Sequence, residues 1–124
     1  MMVEMGPFRS GATPTTIEAN PGSWNEKNGM LFIDNPVGAG FSYTTNDGYV
    51  TNEDEVAQNL QSELAQFFAV FPKLKSNKFF ITGESYGGHY VPAIAAKLVA
   101  NEQSGAQGTV PTLSGIAARQ GAVK

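Results

Sequence analysis

The run FFITGESYGGHYVP, Phe79 to Pro92, places Ser85 between two glycines, just after a run of four β-favouring residues and just before a helix-like segment. Gly83-Glu84-Ser85-Tyr86-Gly87 is a G-x-S-x-G pattern, the signature of a nucleophile elbow, in which a sharp strand-to-helix turn lifts a serine hydroxyl above a sheet. Both glycines are expected to relieve crowding where the backbone turns. The N-terminus of the following helix would offer backbone N–H groups and positive potential to a developing oxyanion, and the Tyr86 N–H is the first candidate donor. The chemistry such residues support is acyl transfer through Ser85. A plainer reading is a glycine-rich turn whose serine caps the helix; the position of the pattern, between an apolar strand and an amphipathic helix, favours the elbow.

Two neighbouring features invite other readings. Gly83 and Gly88 have the glycine spacing of a phosphate-binding loop, but His89-Tyr90 stands where Lys and Ser/Thr would have to meet the phosphates and Mg²⁺, so nucleotide binding is set aside. His89 is the only histidine, and it follows Ser85 by four positions on the same nascent helix. In an elbow the base arrives from a separate loop, far along the chain, in the order Ser, Asp or Glu, His. His89 is therefore expected to be a structural or site-lining residue rather than the base.

The elements that must position Ser85 are legible from periodicity. KFFITG, Lys78 to Gly83, reads as the strand that leads into it. Val91, Ile94, Ala95, Leu98 and Val99 give the following segment one apolar stripe at helical spacing. Upstream, Val56, Leu60, Leu64, Phe67, Phe68 and Phe71 mark a helix over Asn52 to Phe71. Asn52 is its expected cap, Asp54 and Glu55 suit the positive end of its dipole, and Pro72 closes it. GMLFID, Gly29 to Asp34, is a compact apolar run expected to form a strand buried on both faces, and TLSGIAA, Thr112 to Ala118, is a last candidate strand. Residues 6–28, dense in glycine and proline, read as loops and short extended pieces. The order strand, helix, strand, elbow, helix, strand implies an α/β fold with a parallel sheet. Three strands and two helices leave sheet faces and edges uncovered, so large apolar surfaces are expected to remain exposed.

Composition narrows the function classes. The 124 residues carry a net charge of -3 and 41% hydrophobic residues, which suits a folded soluble domain and suggests neither a nucleic-acid partner nor an acidic tail. There is no cysteine, and one histidine cannot supply most of a tetrahedral zinc shell. No metal and no cofactor is expected. No apolar run approaches the roughly 20 residues of a membrane span, and the first residues do not read as a signal peptide.

Beyond the elbow, ITGESYGGHYVPAIA resembles the segment around the nucleophile of the serine carboxypeptidases, in which Glu precedes the serine and a Gly-His-Tyr-aliphatic-Pro run follows. EMGPF at Glu4–Phe8, NPGSWN at Asn20–Asn25, MLFIDNPVGAGFSY at Met30–Tyr43 and NEDEVAQNLQSELAQFFAVFP at Asn52–Pro72 are similar to further family segments, especially of its vitellogenic-like branch. The resemblance implies a partial α/β-hydrolase fold: residues 1–124 as part of one domain, with a loop-rich start over 1–28 and a parallel βαβαβ core over 29–118. It also implies hydrolysis of C-terminal peptide bonds of peptides or proteins in lysosomal, vacuolar or secreted settings. By the same resemblance Ser85 is the nucleophile, the Tyr86 N–H an oxyanion donor, and Glu84 and Glu4 hold the substrate's terminal carboxylate. Carboxyl groups hold a carboxylate only by sharing a proton, which favours acidic pH.

The departures bear on competence. The family's Trp-Asn-Gly-Gly-Pro-Gly segment and the Asp and His of its triad are not among these residues, and Ala118-Arg119-Gln120 stands where an Ile-Gly-Asn-like run is expected. A serine without its base is a weak nucleophile, so the isolated chain is expected to be inactive. An esterase or acyltransferase on the same elbow, and a truncated non-catalytic homologue serving as an interaction module, are the alternatives.

Overall fold

The computed structural model describes residues 5–105 and 108–119. Contacts divide the chain into two units, Met1–Asp34 and Asn35–Lys124.

In the first unit, β1 (Phe8–Ser10) and β2 (Ile17–Ala19) form an antiparallel pair in which Phe8 faces Ala19 and Ser10 faces Ile17. The connecting turn closes with Gly11 N–H donating to Thr16 O at 2.9 Å, and Thr13 gathers the Thr16 hydroxyl at its carbonyl. Arg9 and Glu18 meet across the pair at 3.4 Å on half-exposed side chains, a contact worth little in water. A 3₁₀ turn follows at Trp24–Glu26, begun by Ser23, whose hydroxyl accepts from Asn25 N–H at 3.1 Å. The strand expected over Gly29–Asp34 is not formed: residues 29–35 carry neither helix nor strand. A run apolar on both faces is a strand only when neighbours complete its ladder, and no described strand pairs with it.

The second unit opens with a tight loop. Gly38 has φ 92°, donates to Ser42 O at 2.9 Å, and lies so close to the Tyr49 ring that a Cβ there would stand 2.8 Å from it. α1 (Glu53–Val70) follows, with Asn52 Oδ1 accepting from Glu55 N–H at 3.0 Å and Glu55 Oε2 accepting from Thr51 N–H at 2.7 Å. The first bond satisfies an amide that the helix start leaves open, and the second fixes the residue before the cap. Its stripe buries Val56, Ala57, Leu60, Leu64 and Phe68. A 3₁₀ turn at Pro72–Ser76 leads into β3 (Phe79–Glu84), which α2 (Gly87–Gln103) follows, burying Val91, Ile94 and Leu98. β4 (Leu113–Arg119) lies parallel to β3, from Phe79 opposite Leu113 to Glu84 opposite Arg119, with one irregularity after Phe79.

The core is the seam between α1, α2 and the sheet. Phe68 of α1 meets Phe79 of β3 edge-on at 5.7 Å between ring centroids, a favoured aromatic geometry. The two-stranded parallel sheet leaves Phe80 56% and Ile116 47% exposed, as expected where few strands and two helices cannot cover a parallel sheet. Among the described residues no helix is long and apolar enough to cross a membrane.

Candidate active site at the strand–helix turn

β3 ends at Glu84, and the next residue, Ser85, has φ 58°, the one positive φ among the described non-glycine residues. An L residue there crowds its Cβ against the backbone, at a cost of about 1–2 kcal/mol. Bonds on both sides hold it. Ser85 N–H donates to Arg119 O at 2.8 Å, extending the β3–β4 ladder by one step, while Ser85 O accepts from Gly88 N–H at 3.0 Å in the first turn of α2. The chain thus passes from strand to helix within Ser85 and Tyr86, and both residues are exposed.

The two glycines of the motif do different things. A Cβ on Gly83 would stand 2.8 Å from Val91 Cγ2 and 3.1 Å from Gly87 Cα. Gly83 is therefore what lets the first turns of α2 lie against the strand. A Cβ on Gly87 would meet nothing within 4 Å, so the expectation that both glycines relieve crowding holds only for Gly83 among the described contacts. Gly87 contributes the near wall that Gly83 approaches.

Tyr86 precedes α2 as its cap residue without a side-chain capping bond, and its N–H has no partner among the described residues. That amide, beside Ser85 and at the positive end of α2, can receive negative charge. The Tyr86 ring, 56% exposed, is tilted over His89 at 4.7 Å and Tyr90 at 4.9 Å, as i+3 and i+4 neighbours on a helix are placed to do. His89 is thus engaged with Tyr86, and no hydrogen bond joins it to Ser85 among the described residues. Burial pushes the Tyr90 phenol above its ordinary range, with Glu53 and Tyr86 adding smaller upward pushes. Glu53 opens α1, and its Oε2 is buried without a partner among the described residues. Sequence reasoning missed Tyr90 and Glu53; the i+4 spacing from Tyr86 was the available signal for the first.

Glu84 sits exposed at the end of β3, next to Ser85 and opposite Arg119 in the ladder. Glu4 lies outside the described residues. Among the described residues no group of three or more His, Asp or Glu side chains is placed to hold a metal. The arrangement is an exposed serine on a strained turn, with a free amide beside it and a carboxylate before it, a geometry suited to acyl transfer.

Comparisons with known proteins identify the family and the fold. The family model described as serine carboxypeptidase matches residues 1–124. The chain is 43% identical over 108 residues to the lysosomal protective protein of Mus musculus, covering 87% of the chain and 23% of that protein. It is 47% identical over 94 residues to the vitellogenic carboxypeptidase of Aedes aegypti, covering 75% of the chain and 20% of that protein. In three dimensions it resembles the crystal structure of a prohormone-processing carboxypeptidase from Saccharomyces cerevisiae with a TM-score of 0.76 and 30% identity, over 94% of this chain and 26% of that one. The fold is accordingly part of the α/β-hydrolase fold. The chain spans between a fifth and a quarter of the length of these curated relatives.

Proposed function

The chain belongs to the serine carboxypeptidase family, and from that premise we propose that the protein of which it forms part is a serine-type carboxypeptidase. Ser85 attacks the carbonyl of the last peptide bond of a peptide or protein, forming an acyl-enzyme that water then hydrolyses. The Tyr86 N–H donates to the oxyanion. Glu84 and Glu4 hold the substrate's C-terminal carboxylate through shared protons, which sets the working range on the acidic side of neutrality. For Glu4 the support is the resemblance alone.

The observation that carries the reading is Ser85 at φ 58° between β3 and α2, in a glutamate-serine pair with a free amide behind it. The general base and its acidic partner come from chain other than these 124 residues, whose only histidine is stacked on Tyr86. The two contact units belong to one α/β-hydrolase domain. The compartment is lysosomal, vacuolar or secreted, in keeping with an acid-favouring carboxylate site. Taken alone, the chain is inactive, because loss of triad members removes several powers of ten in rate.

The test is the full-length protein with N-blocked dipeptides and with esters, beside its Ser85→Ala variant, across acidic and neutral pH. Release of the C-terminal amino acid, lost in the variant, is expected. Ester turnover without amino-acid release would favour an esterase or acyltransferase instead. Failure of a fluorophosphonate probe to label Ser85 would favour a non-catalytic interaction module.

A further inference from the structure

Asn28 is followed by Gly29, and the structure leaves that junction unguarded. Both residues are exposed, and residues 29–35 belong to no helix or strand. The Gly29 N–H has no hydrogen-bond partner among the described residues, and a Cβ built on Gly29 would meet nothing within 4 Å. The Asn28 amide is tethered by one donation from Nδ2 to Trp24 O at 3.4 Å, beyond the usual range of such bonds. Glycine's backbone freedom lets its nitrogen swing toward the preceding side chain.

We infer that Asn28 is a site of spontaneous covalent modification, deamidation through a succinimide. The Gly29 nitrogen attacks Asn28 Cγ and loses its proton, the side-chain amide leaves as ammonia, and the ring closes. Water then opens the ring at either carbonyl, giving aspartate or isoaspartate. The net change is one water consumed and one ammonia released, with no oxidant or reductant. Because the attacking nitrogen must give up its proton, the rate rises with pH.

The other asparagines are disfavoured by the residues that follow them, none of which is glycine. Asn20 and Asn35 precede prolines, which have no N–H to lose. Asn46 is followed by Asp47, and Asn28 is the only asparagine in the sequence with a glycine directly after it. Conversion at Asn28 has local consequences: a carboxylate cannot donate to Trp24 O, so the tie between residue 28 and the 3₁₀ turn is lost. The new charge joins Glu26 on the wall of a cavity of about 350 Å³ that Lys27 also lines. Isoaspartate further inserts a methylene into the main chain just ahead of Met30–Asp34.

The experiment incubates the full-length protein at neutral and mildly alkaline pH beside a synthetic Lys27–Met30 peptide, with peptide mapping by mass spectrometry and enzymatic isoaspartate labelling. Asn28 is expected to convert before any other asparagine, at a rate close to that of the peptide. Gly29→Val keeps Asn28 but screens its Cγ, and should slow conversion strongly. Protection of roughly tenfold or more relative to the peptide would mean that the junction opens only by local unfolding, and would overturn the inference. So would a different asparagine converting first, or an unchanged rate in Gly29→Val.

Discussion

Replacing Gly83 by alanine tests what shapes the turn around Ser85. The added Cβ would stand 2.8 Å from Val91 Cγ2 and 3.1 Å from Gly87 Cα. Val91 is 3% exposed in the core of α2, and a β-branched side chain inside a helix has essentially one χ1 well. It cannot swing aside cheaply, so α2 must move off the strand. Overpacking of this kind costs about 1–3 kcal/mol. Gly83 has no positive φ, so alanine also recovers about 0.4–1 kcal/mol through the unfolded chain. The net is a destabilisation of about 1–2 kcal/mol, read as a lower urea midpoint at unchanged m-value in the full-length protein. Displacing α2 also displaces the Tyr86 amide relative to Ser85, and a shift approaching 1 Å lowers turnover by about 100-fold. Two controls isolate the contact. Gly87→Ala, which meets nothing within 4 Å, should leave stability level or raise it. In a Val91→Ala background, Gly83→Ala should lose most of its cost, giving a coupling of about 1 kcal/mol or more in a double-mutant cycle. Equal costs for Gly83→Ala with and without Val91 would refute the reasoning.

Ser85→Gly should raise stability by about 1 kcal/mol, the relief of a left-handed residue less the extra entropy of glycine, while abolishing turnover; Ser85→Ala should abolish turnover without the gain. Backbone donation from Thr51 is the main cause holding the Glu55 carboxyl below its ordinary value, so its stabilisation is present above the unfolded value and lost as pH falls through the folded one. Glu55→Gln should flatten that acid limb of a stability–pH profile. Burial pushes the Glu63 carboxyl above its ordinary value, so its charge opposes folding at neutral pH and ceases to once it is protonated. Glu63→Gln should therefore stabilise at neutral pH and make no difference in acid, as thermal unfolding at the two pH values would show.

How much of this was legible depends on whether a feature is local or paired. α1 was expected over Asn52–Phe71 and forms over Glu53–Val70, because a helix satisfies its own backbone and its stripe at helical spacing survives any partner. The turn at Ser85 was equally readable, since a strand end, two glycines and a helix start within a few residues leave the serine little choice of backbone. Strands are another matter. KFFITG and TLSGIAA found each other, whereas GMLFID found no ladder among the described residues, although its composition is at least as apolar. The hairpin of β1 and β2 was hidden in a glycine-rich start because three-residue strands carry no alternation to read. Gly87 was credited with a clash that belongs to Gly83, as a motif gives spacing without saying which glycine faces the crowded side.

The same distinction explains why the proposed nucleophile side of the site is written in so short a stretch. A strained serine, its neighbouring amide and the preceding carboxylate are all set by consecutive backbone torsions, so they arrive together once β3 and α2 form. A general base must approach the hydroxyl from another loop, and its position depends on long-range packing. The stack of Tyr86 on His89 and Tyr90 belongs to the local half: it occupies the nearest imidazole and leaves the Ser85 hydroxyl open to a base from elsewhere. If His89 were that base, His89→Gln would remove turnover in the full-length protein as thoroughly as Ser85→Ala. On the geometry described it should instead retain most of it, with any loss arising from the loosened Tyr86 ring.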